Sequence, residues 1–170
     1  MRRAKVAAIF AVCAAPLVLG WLASRERWSS GRSANYGELL TPHEAGGPLV
    51  ALRGKWVLVT FDAAACDARC ERKLYIVRQV RRAQGTNAER IERLWLLTDR
   101  GQPAPELLAT IAGSHVAPAD GALRSFPGEP TAYIYLVDPL GNLMMRFPAA
   151  ADGSRMIKDL ERLLKYSSFG

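Results

Sequence analysis

Two cysteines, Cys66 and Cys70, have a spacing and a position in this sequence that could support chemistry. They follow an apolar run at 56–61, which is typical of a buried strand, and they stand where a helical pattern begins. Two residues four apart at a helix start lie on one face, with Cβ atoms about 5–6 Å apart. That separation is close to what a disulfide spans. The pair could therefore cycle between dithiol and disulfide, or bind one soft metal ion.

Some groups near this cysteine pair favour its ionisation to a thiolate, and others oppose it. Free amides and the positive end of the helix dipole favour a thiolate, as do Arg69 and Arg72. Asp67 and Glu71 oppose it, because nearby carboxylates disfavour another negative charge. A static disulfide, or two buried thiols that do no chemistry, is the alternative interpretation of the same residues.

The charge of the chain does not indicate a nucleic-acid partner. The formal charge is +7, but five of the 23 basic residues and one of the 16 acidic residues lie within 1–27, which leaves +3 for the rest. No basic stripe with interleaved aromatic residues accompanies it. The sequence also lacks a Ser-His-Asp pattern and a phosphate-binding glycine loop, and its two histidines lie far apart, which argues against hydrolytic or zinc chemistry.

The N-terminal segment predicts a membrane anchor. Residues 6–23 contain no charged side chain, and about 20 such residues cross a hydrocarbon core. Arg2, Arg3 and Lys5 precede them, so the positive-inside rule places the N-terminus in the cytoplasm. A cleaved signal peptide is the alternative, although the apolar run is long and the cleavage site would be poor.

These features give a predicted domain organisation and location. We expect an anchor at 1–24, a polar tether at 25–47 and a domain at 48–170. The protein would cross a bacterial inner (cytoplasmic) membrane once, with its domain in the periplasm. That compartment is oxidising, so an unprotected thiol pair there becomes a disulfide.

The hydrophobic periodicity predicts an α/β domain with the order β-α-β-α-β-β-α. The expected strands lie at 56–61, 93–98, 132–137 and 143–147, with a short strand also possible at 49–52; the expected helices lie at 70–85, 105–113 and 154–166. Residues 114–128 are expected to form an irregular loop, which contains His115. In the last helix we expect Ile157, Leu160, Leu163 and Leu164 to be buried and Asp159 to be exposed.

This order of elements, with a cysteine pair at a helix start and Pro130-Thr131 directly before a β-hairpin, is similar to the thioredoxin-like fold. In that family, the proline before the third core strand is cis and lies against the cysteine pair. The resemblance therefore implies that Pro130 faces Cys66 and Cys70 and belongs to the site.

The CxxxC spacing at 66–70, the predicted anchor and the segment YLVDPLG at 135–141 resemble the Sco/SenC group. Those proteins are anchored copper-binding or thiol-reducing factors in assembly of the copper-A centre of cytochrome c oxidase. The resemblance implies a partner protein with reducible cysteines, such as a cytochrome c oxidase subunit or a copper chaperone. It also implies one copper ion as a candidate ligand of Cys66 and Cys70.

The resemblance is incomplete at the copper site. Sco proteins add a histidine that lies a few residues before the YLVDP strand, and here the stretch 125–131 has none. His115 would have to swing in from its loop to act as third ligand, and strand packing is the expected role of Met144 and Met145. Two thiolates alone can still hold Cu(I).

Three functional hypotheses follow from these residues. The first is an anchored extracytoplasmic thiol–disulfide protein, in which Cys66, nearer the helix start, attacks a partner disulfide and Cys70 resolves the mixed disulfide. The second is a Cu(I) metallochaperone that uses the same cysteines. The third is a docking module of thioredoxin-like fold with a static disulfide.

Overall fold

The computed structural model describes residues 35–167 and, before them, residues 13–16, 18, 20 and 21. The chain divides into two compact units, Met1–Ala34 and Asn35–Gly170. In the first unit the described residues are helical. Among the residues that the structure describes, no helix is both long and apolar enough to cross a membrane. The predicted anchor at 6–23 lies mostly outside the described residues, so it stays a prediction.

Residues 35–167 form a mixed β-sheet with helices packed on it. Its strands are β1 (Glu38–Glu44), β2 (Trp56–Asp62), β3 (Ile91–Leu97), β4 (His115–Pro118), β5 (Tyr133–Val137) and β6 (Asn142–Pro148). The strand order is β1-β6-β5-β2-β3-β4. The pairs β2–β3 and β3–β4 are parallel, whereas β2–β5, β5–β6 and β1–β6 are antiparallel.

The helices are α1 (Ala68–Ala83), α2 (Pro105–Thr110) and α3 (Gly153–Tyr166). Two of them begin at an aspartate whose side chain accepts hydrogen bonds from backbone amides of the first turn. Asp67 does this for α1 and Asp152 for α3. These carboxylates satisfy amides that have no partner inside the helix, which defines where each helix starts.

The sheet separates two apolar clusters because side chains alternate along each strand. Leu58, Ile134 and Phe147 face α1 and α3, and they pack there with residues such as Val77 and Leu160. Val59, Phe61 and Tyr135 face the other side, where Leu49 and Phe126 from connecting segments cover them. Both faces of β2 are therefore buried, as its mostly apolar sequence predicts.

The predicted strands at 56–61, 93–98, 132–137 and 143–147 and the predicted helices are confirmed, with shifts of a few residues at their ends. The strand suggested at 49–52 is wrong, because Gly47–Leu52 form a 3-10 helix. Gly46 and Gly47 adopt φ values of 63° and 58°, and Pro48 follows them in the first turn. This geometry turns the chain and ends any extended conformation before Leu49.

The boundary between tether and domain lies earlier than predicted. Residues 38–44 are the edge strand β1, and the compact unit begins at Asn35 rather than at residue 48. Glu38 lies opposite Arg146 of β6, whose guanidinium donates to both carboxylate oxygens at 2.7 and 2.9 Å. Most of β1 is exposed. It therefore lacks the apolar alternation that would have predicted a strand.

The loop predicted at 114–128 is also partly ordered. Residues 115–118 form β4, which pairs with β3, and Ala122–Ser125 form a 3-10 helix. β4 is a four-residue strand at the other edge of the sheet. Its partner strand, and not its own side-chain pattern, holds it extended.

Asp159 of α3 is buried, contrary to the expectation that it is exposed. Its Oδ2 accepts hydrogen bonds from the amides of Tyr36 and Gly37 at 2.7 and 2.9 Å. The carboxylate therefore fixes the chain directly before β1 against the last helix.

Candidate functional site

The two cysteines are joined by a disulfide between β2 and α1. A short turn follows β2, in which the amide of Cys66 donates to the carbonyl of Ala63 at 3.0 Å. Cys66 has a φ of 36°, a left-handed conformation that is unfavourable for a residue with a Cβ. Cys70 lies in the first turn of α1, and the two Cα atoms are 5.2 Å apart. The cysteines therefore occur, as predicted, at a separation that a disulfide can span.

Asp67 lies between the cysteines in sequence and affects their electrostatics. Its Oδ1 accepts a hydrogen bond from the amide of Cys70 at 2.9 Å. This bond, together with the charge of Arg69, lowers the pKa of the Asp67 carboxyl below its usual range. The carboxylate stays ionised at neutral pH and opposes a thiolate on the neighbouring Cys66. The negative charge of Asp67 thus offsets part of the positive charge at the N-terminal end of the α1 dipole.

The two sulfur-bearing residues differ in exposure. Cys66 is 8% exposed and Cys70 is 1% exposed. A partner can therefore reach Cys66 more easily, in agreement with its assignment as the attacking thiol, which stays a prediction. Cys70 packs with Leu74, Trp95 and Ile111 in an apolar cluster under α1.

A buried ion pair lies next to the disulfide. Nζ of Lys73 lies 2.6 Å from Oδ2 of Asp62, and the two side chains are 0% and 6% exposed. The same ammonium donates to the carbonyl of Phe61 at 3.0 Å and to that of Thr131 at 2.6 Å. One side chain of α1 thus binds the end of β2 and the segment that precedes β5.

Burial governs the titration of both partners in this pair. It raises the pKa of Asp62 above its usual value, although the Lys73 ammonium acts in the opposite direction. It also lowers the pKa of Lys73, against the attraction of the Asp62 carboxylate. A carboxyl whose pKa is raised towards neutrality can exchange a proton with a thiol more readily than an ordinary aspartate.

The disulfide opens into a small cleft of about 300 Å³. The residues that line it come from the end of β2, the cysteine turn and two facing loops: Asp62, Ala63, Ala65, Cys66, Asp67, Arg69, Cys70, Thr98 and Thr131. The cleft therefore contains both sulfur-bearing residues and the carboxyl of raised pKa.

Pro130 does not have the geometry that the resemblance implies. The structure has no cis peptide bond among the residues it describes, so the expectation of a cis bond at Pro130 is wrong. Pro130 lines a neighbouring depression together with Leu123 and Thr98, and Thr131 is the residue that reaches the cysteine cleft. Lys73 holds Thr131 there through its carbonyl. The assignment of Pro130 to the site stays a prediction.

His115 does not lie with the cysteines in this structure, and its suggested role as a third copper ligand stays a prediction. Its Nε2 lies 3.4 Å from a carboxylate oxygen of Glu92, and its backbone pairs with Leu94 of β3. Within the described residues, no three or more His, Cys, Asp and Glu side chains form a group that could hold a metal ion. After reduction, Cys66 and Cys70 could supply two thiolates, which are sufficient to hold Cu(I).

The methionines considered as soft ligands pack in the core instead. Met145 is buried in the cluster beneath α3, and Met144 is partly buried against it. Their expected role in strand packing is confirmed.

Sequence reasoning missed Lys73, although its position carried a signal. Cys70, Lys73, Leu74 and Val77 recur at three- and four-residue intervals along the buried face of α1. A lysine inside that stripe requires a buried partner, and Asp62 ends the preceding buried strand. The two residues together could have predicted the pair.

A family model described as transmembrane-like, thioredoxin-like, C-terminal domain matches residues 56–167. No curated protein matches the sequence. The matched range starts at β2 and runs through α3, so it contains the cysteine pair and the buried ion pair.

Several solved structures share the fold. Apo Sco1 from Thermus thermophilus is 19% identical with a TM-score of 0.60, over 79% of this chain and 99% of that one. Yeast Sco1 with copper bound is 16% identical with a TM-score of 0.60, over 79% and 96%. BsSco, a member of the Sco family of cytochrome c oxidase assembly proteins with an identified disulfide switch, is 16% identical with a TM-score of 0.53, over 79% and 96%. At these identities the likeness establishes the fold.

Proposed function

We propose that this chain, which belongs to the transmembrane-like, thioredoxin-like, C-terminal domain family, reduces a disulfide of a partner protein through Cys66 and Cys70. The observation that carries this proposal is the disulfide between these cysteines in a cleft shared with the buried carboxyl of Asp62. Thiol–disulfide exchange requires an attacking sulfur that a partner can reach, a second sulfur that resolves the mixed disulfide, and a nearby proton acceptor.

The reaction begins with the reduced protein. The Cys66 thiolate attacks one sulfur of the partner disulfide, that S–S bond breaks, and the released partner sulfur takes up a proton. The Cys70 thiol then gives its proton to Asp62 and attacks the sulfur of Cys66. The mixed disulfide breaks and the Cys66–Cys70 disulfide forms. The second partner sulfur takes up the proton held by Asp62, and the partner leaves as a dithiol. A separate dithiol protein must return two electrons to this chain before the next cycle.

We further propose that the partner belongs to assembly of the copper centre of cytochrome c oxidase. The fold likeness to Sco1, and to a member of a family of cytochrome c oxidase assembly proteins, supports this assignment. The uncharged run at 6–23 behind Arg2, Arg3 and Lys5 supports an anchor in the bacterial inner membrane, with the domain in the periplasm.

Trapping of mixed disulfides in the full-length protein tests this function. Cys70→Ser leaves Cys66 without its resolving thiol, so membranes acid-quenched from cells that express it should contain a covalent complex with the partner. Cys66→Ser, the matched variant, should form no such complex. More complex with Cys66→Ser would reverse the two roles. Full oxidase assembly with both cysteines replaced would instead favour a docking module.

A further inference from the structure

A groove between α1 and α2 lies beside the disulfide and plays no part in the exchange step. It has a volume of about 620 Å³ and an apolar floor that includes Leu74, Leu107 and Ile111. Tyr75, which is 61% exposed, stands on its α1 side. We call this feature the α1–α2 groove.

The groove is continuous with the packing around the cysteines. Its floor residues Leu74 and Ile111 belong to the same apolar cluster as Cys66 and Cys70. Ala68, in the first turn of α1 between the two cysteines, lines its end. The groove shares no lining residue with the cysteine cleft. A chain bound covalently at Cys66 in the cleft could therefore extend into the separate groove beside it.

Two arginines at the margin of the groove, Arg72 and Arg78, form no ion pair within the described residues. Glu71 and Glu106 also line it, so the two signs balance at the surface itself. The balance is changed by a further positive charge beneath the surface.

That charge is the guanidinium of Arg93, which is 4% exposed. It donates to the carbonyl of Ala112, directly after the floor residue Ile111, at 2.8 Å. Its Nε and Nη1 have no hydrogen-bond partner among the described residues. Burial, and then repulsion from Arg81 and Arg78, lowers the pKa of Arg93. The carboxylate of Glu92 attracts this guanidinium, but its effect is smaller than the repulsion from Arg81 and Arg78. The end of the groove near Ile111 therefore has more positive than negative charge close to Arg93.

We propose that the α1–α2 groove binds a segment of the partner that Cys66 reduces, and that this segment pairs a large apolar side chain with carboxylates. The inference rests on the proposed exchange function. The apolar side chain would pack between Tyr75 and Leu107, and the carboxylates would pair with Arg72 and Arg78. A second copy of this chain fits less well, because the part of the chain beyond residue 27 itself carries a net charge of +3.

The reduced full-length protein can be tested with synthetic peptides that carry one cysteine as a mixed disulfide with glutathione. Three peptides share this cysteine: one has tryptophan flanked by two aspartates, one has tryptophan flanked by two lysines, and one has alanine flanked by two aspartates. We expect the first to react faster than the second by about tenfold at low ionic strength, as electrostatic steering permits. We expect the third to react more slowly than the first.

Two charge-reversed variants separate the groove from general electrostatics. Arg72→Glu with Arg78→Glu should remove or reverse the preference for the acidic peptide. Lys158→Glu with Lys165→Glu changes the net charge equally on α3 and should retain it. Equal rates for all three peptides in the unmodified protein would overturn the groove proposal and leave the exchange function intact. No reaction with any peptide, or with oxidised glutathione, would overturn the exchange function itself.

Dimerisation gives a further outcome. If sedimentation shows a dimer that the Arg72→Glu, Arg78→Glu variant abolishes, and the monomer shows no peptide preference, the groove belongs to a second copy and the proposal fails. A monomer with the acidic preference supports the proposal.

Discussion

The ammonium of Lys73 lies 2.6 Å from the carboxylate of Asp62, and both side chains are buried directly beside the disulfide. Lys73 comes from the helix that carries Cys70, and Asp62 comes from the strand that leads to Cys66. The pair therefore joins the two elements that also hold the cysteines. A disulfide and an ion pair connect the same helix and strand end.

Removing the lysine should destabilise the protein strongly. In Lys73→Met, Asp62 loses its counter-charge, and the carbonyls of Phe61 and Thr131 lose a donor. Breaking a buried pair on one side costs about 3–5 kcal/mol of unfolding free energy. Urea unfolding of the oxidised protein would measure it. The double variant Lys73→Met, Asp62→Leu should recover most of the loss, because no uncompensated charge remains; a double variant as unstable as the single one would contradict this account.

Asp62 should control the second step of exchange more than the first. Single-turnover kinetics of Asp62→Asn should show attack by Cys66 nearly unchanged and resolution by Cys70 slower by roughly 10²-fold, the usual contribution of a general base. In the unmodified protein the resolving rate should fall as the pH drops through the raised pKa of Asp62. The variant should lose that inflection. Equal slowing of both steps would point to a general disturbance of the site.

His43 should make stability depend on pH around neutrality. Its Nε2 lies 2.6 Å from the carbonyl of Ser125 and its Nδ1 lies 3.0 Å from that of Thr41, and these carbonyls raise its pKa. Because the folded pKa is above the unfolded one, the stabilisation is complete below about pH 6.5 and is lost as the pH rises through the folded pKa. Thermal unfolding between pH 5 and pH 8 should show this decline, and His43→Gln should reduce it.

The affinity of the reduced protein for Cu(I) should not depend on His115. In a Cu(I) titration of the reduced protein against a competing chelator, His115→Ala should leave the affinity within about twofold, because this histidine contacts Glu92 and lies apart from the cysteines. Cys66→Ser should lower it by at least roughly a hundredfold, since loss of a ligand exceeds the effect of second-sphere changes. A large loss in His115→Ala would show that the loop moves to complete the site.

Asp159 should hold the start of the domain in place. Asp159→Ala would leave the amides of Tyr36 and Gly37 without their acceptor, at a cost of about 1–3 kcal/mol for buried polar groups. Asp159→Asn, which retains one carbonyl acceptor, should lose less. Urea unfolding would rank the variants, and hydrogen exchange of the β1 amides should increase in the same order.

The elements that bury long apolar stretches could be predicted from the sequence. β2 is apolar at most positions because both of its faces are buried, and α3 shows the helical period because one of its faces is buried. β1 and β4 could not be found in this way. Both are edge strands that are extended because a neighbouring strand pairs with them, and their own residues are mostly polar or exposed.

The candidate site shows the same limit at the level of single residues. The cysteine pair was predictable because a thiol at a helix start is chemically distinctive. Lys73 was not singled out, because a lysine is usually solvated, although the helical period places it beside Cys70 on the buried face. The expectation of a cis bond at Pro130 rested on the resemblance alone. In this structure the hydrogen bond from Lys73 to the carbonyl of Thr131 holds that segment against the cleft.

The three contacts of Lys73 also bear on how the protein is recognised. They join α1, the end of β2 and the segment before β5 without using either cysteine. We therefore expect reduction to leave the contour around the cleft almost unchanged. A partner would then distinguish the dithiol form from the disulfide form by the sulfur atoms themselves. Release of the reduced partner would follow from cleavage of the mixed disulfide and would need no change in the shape of the protein.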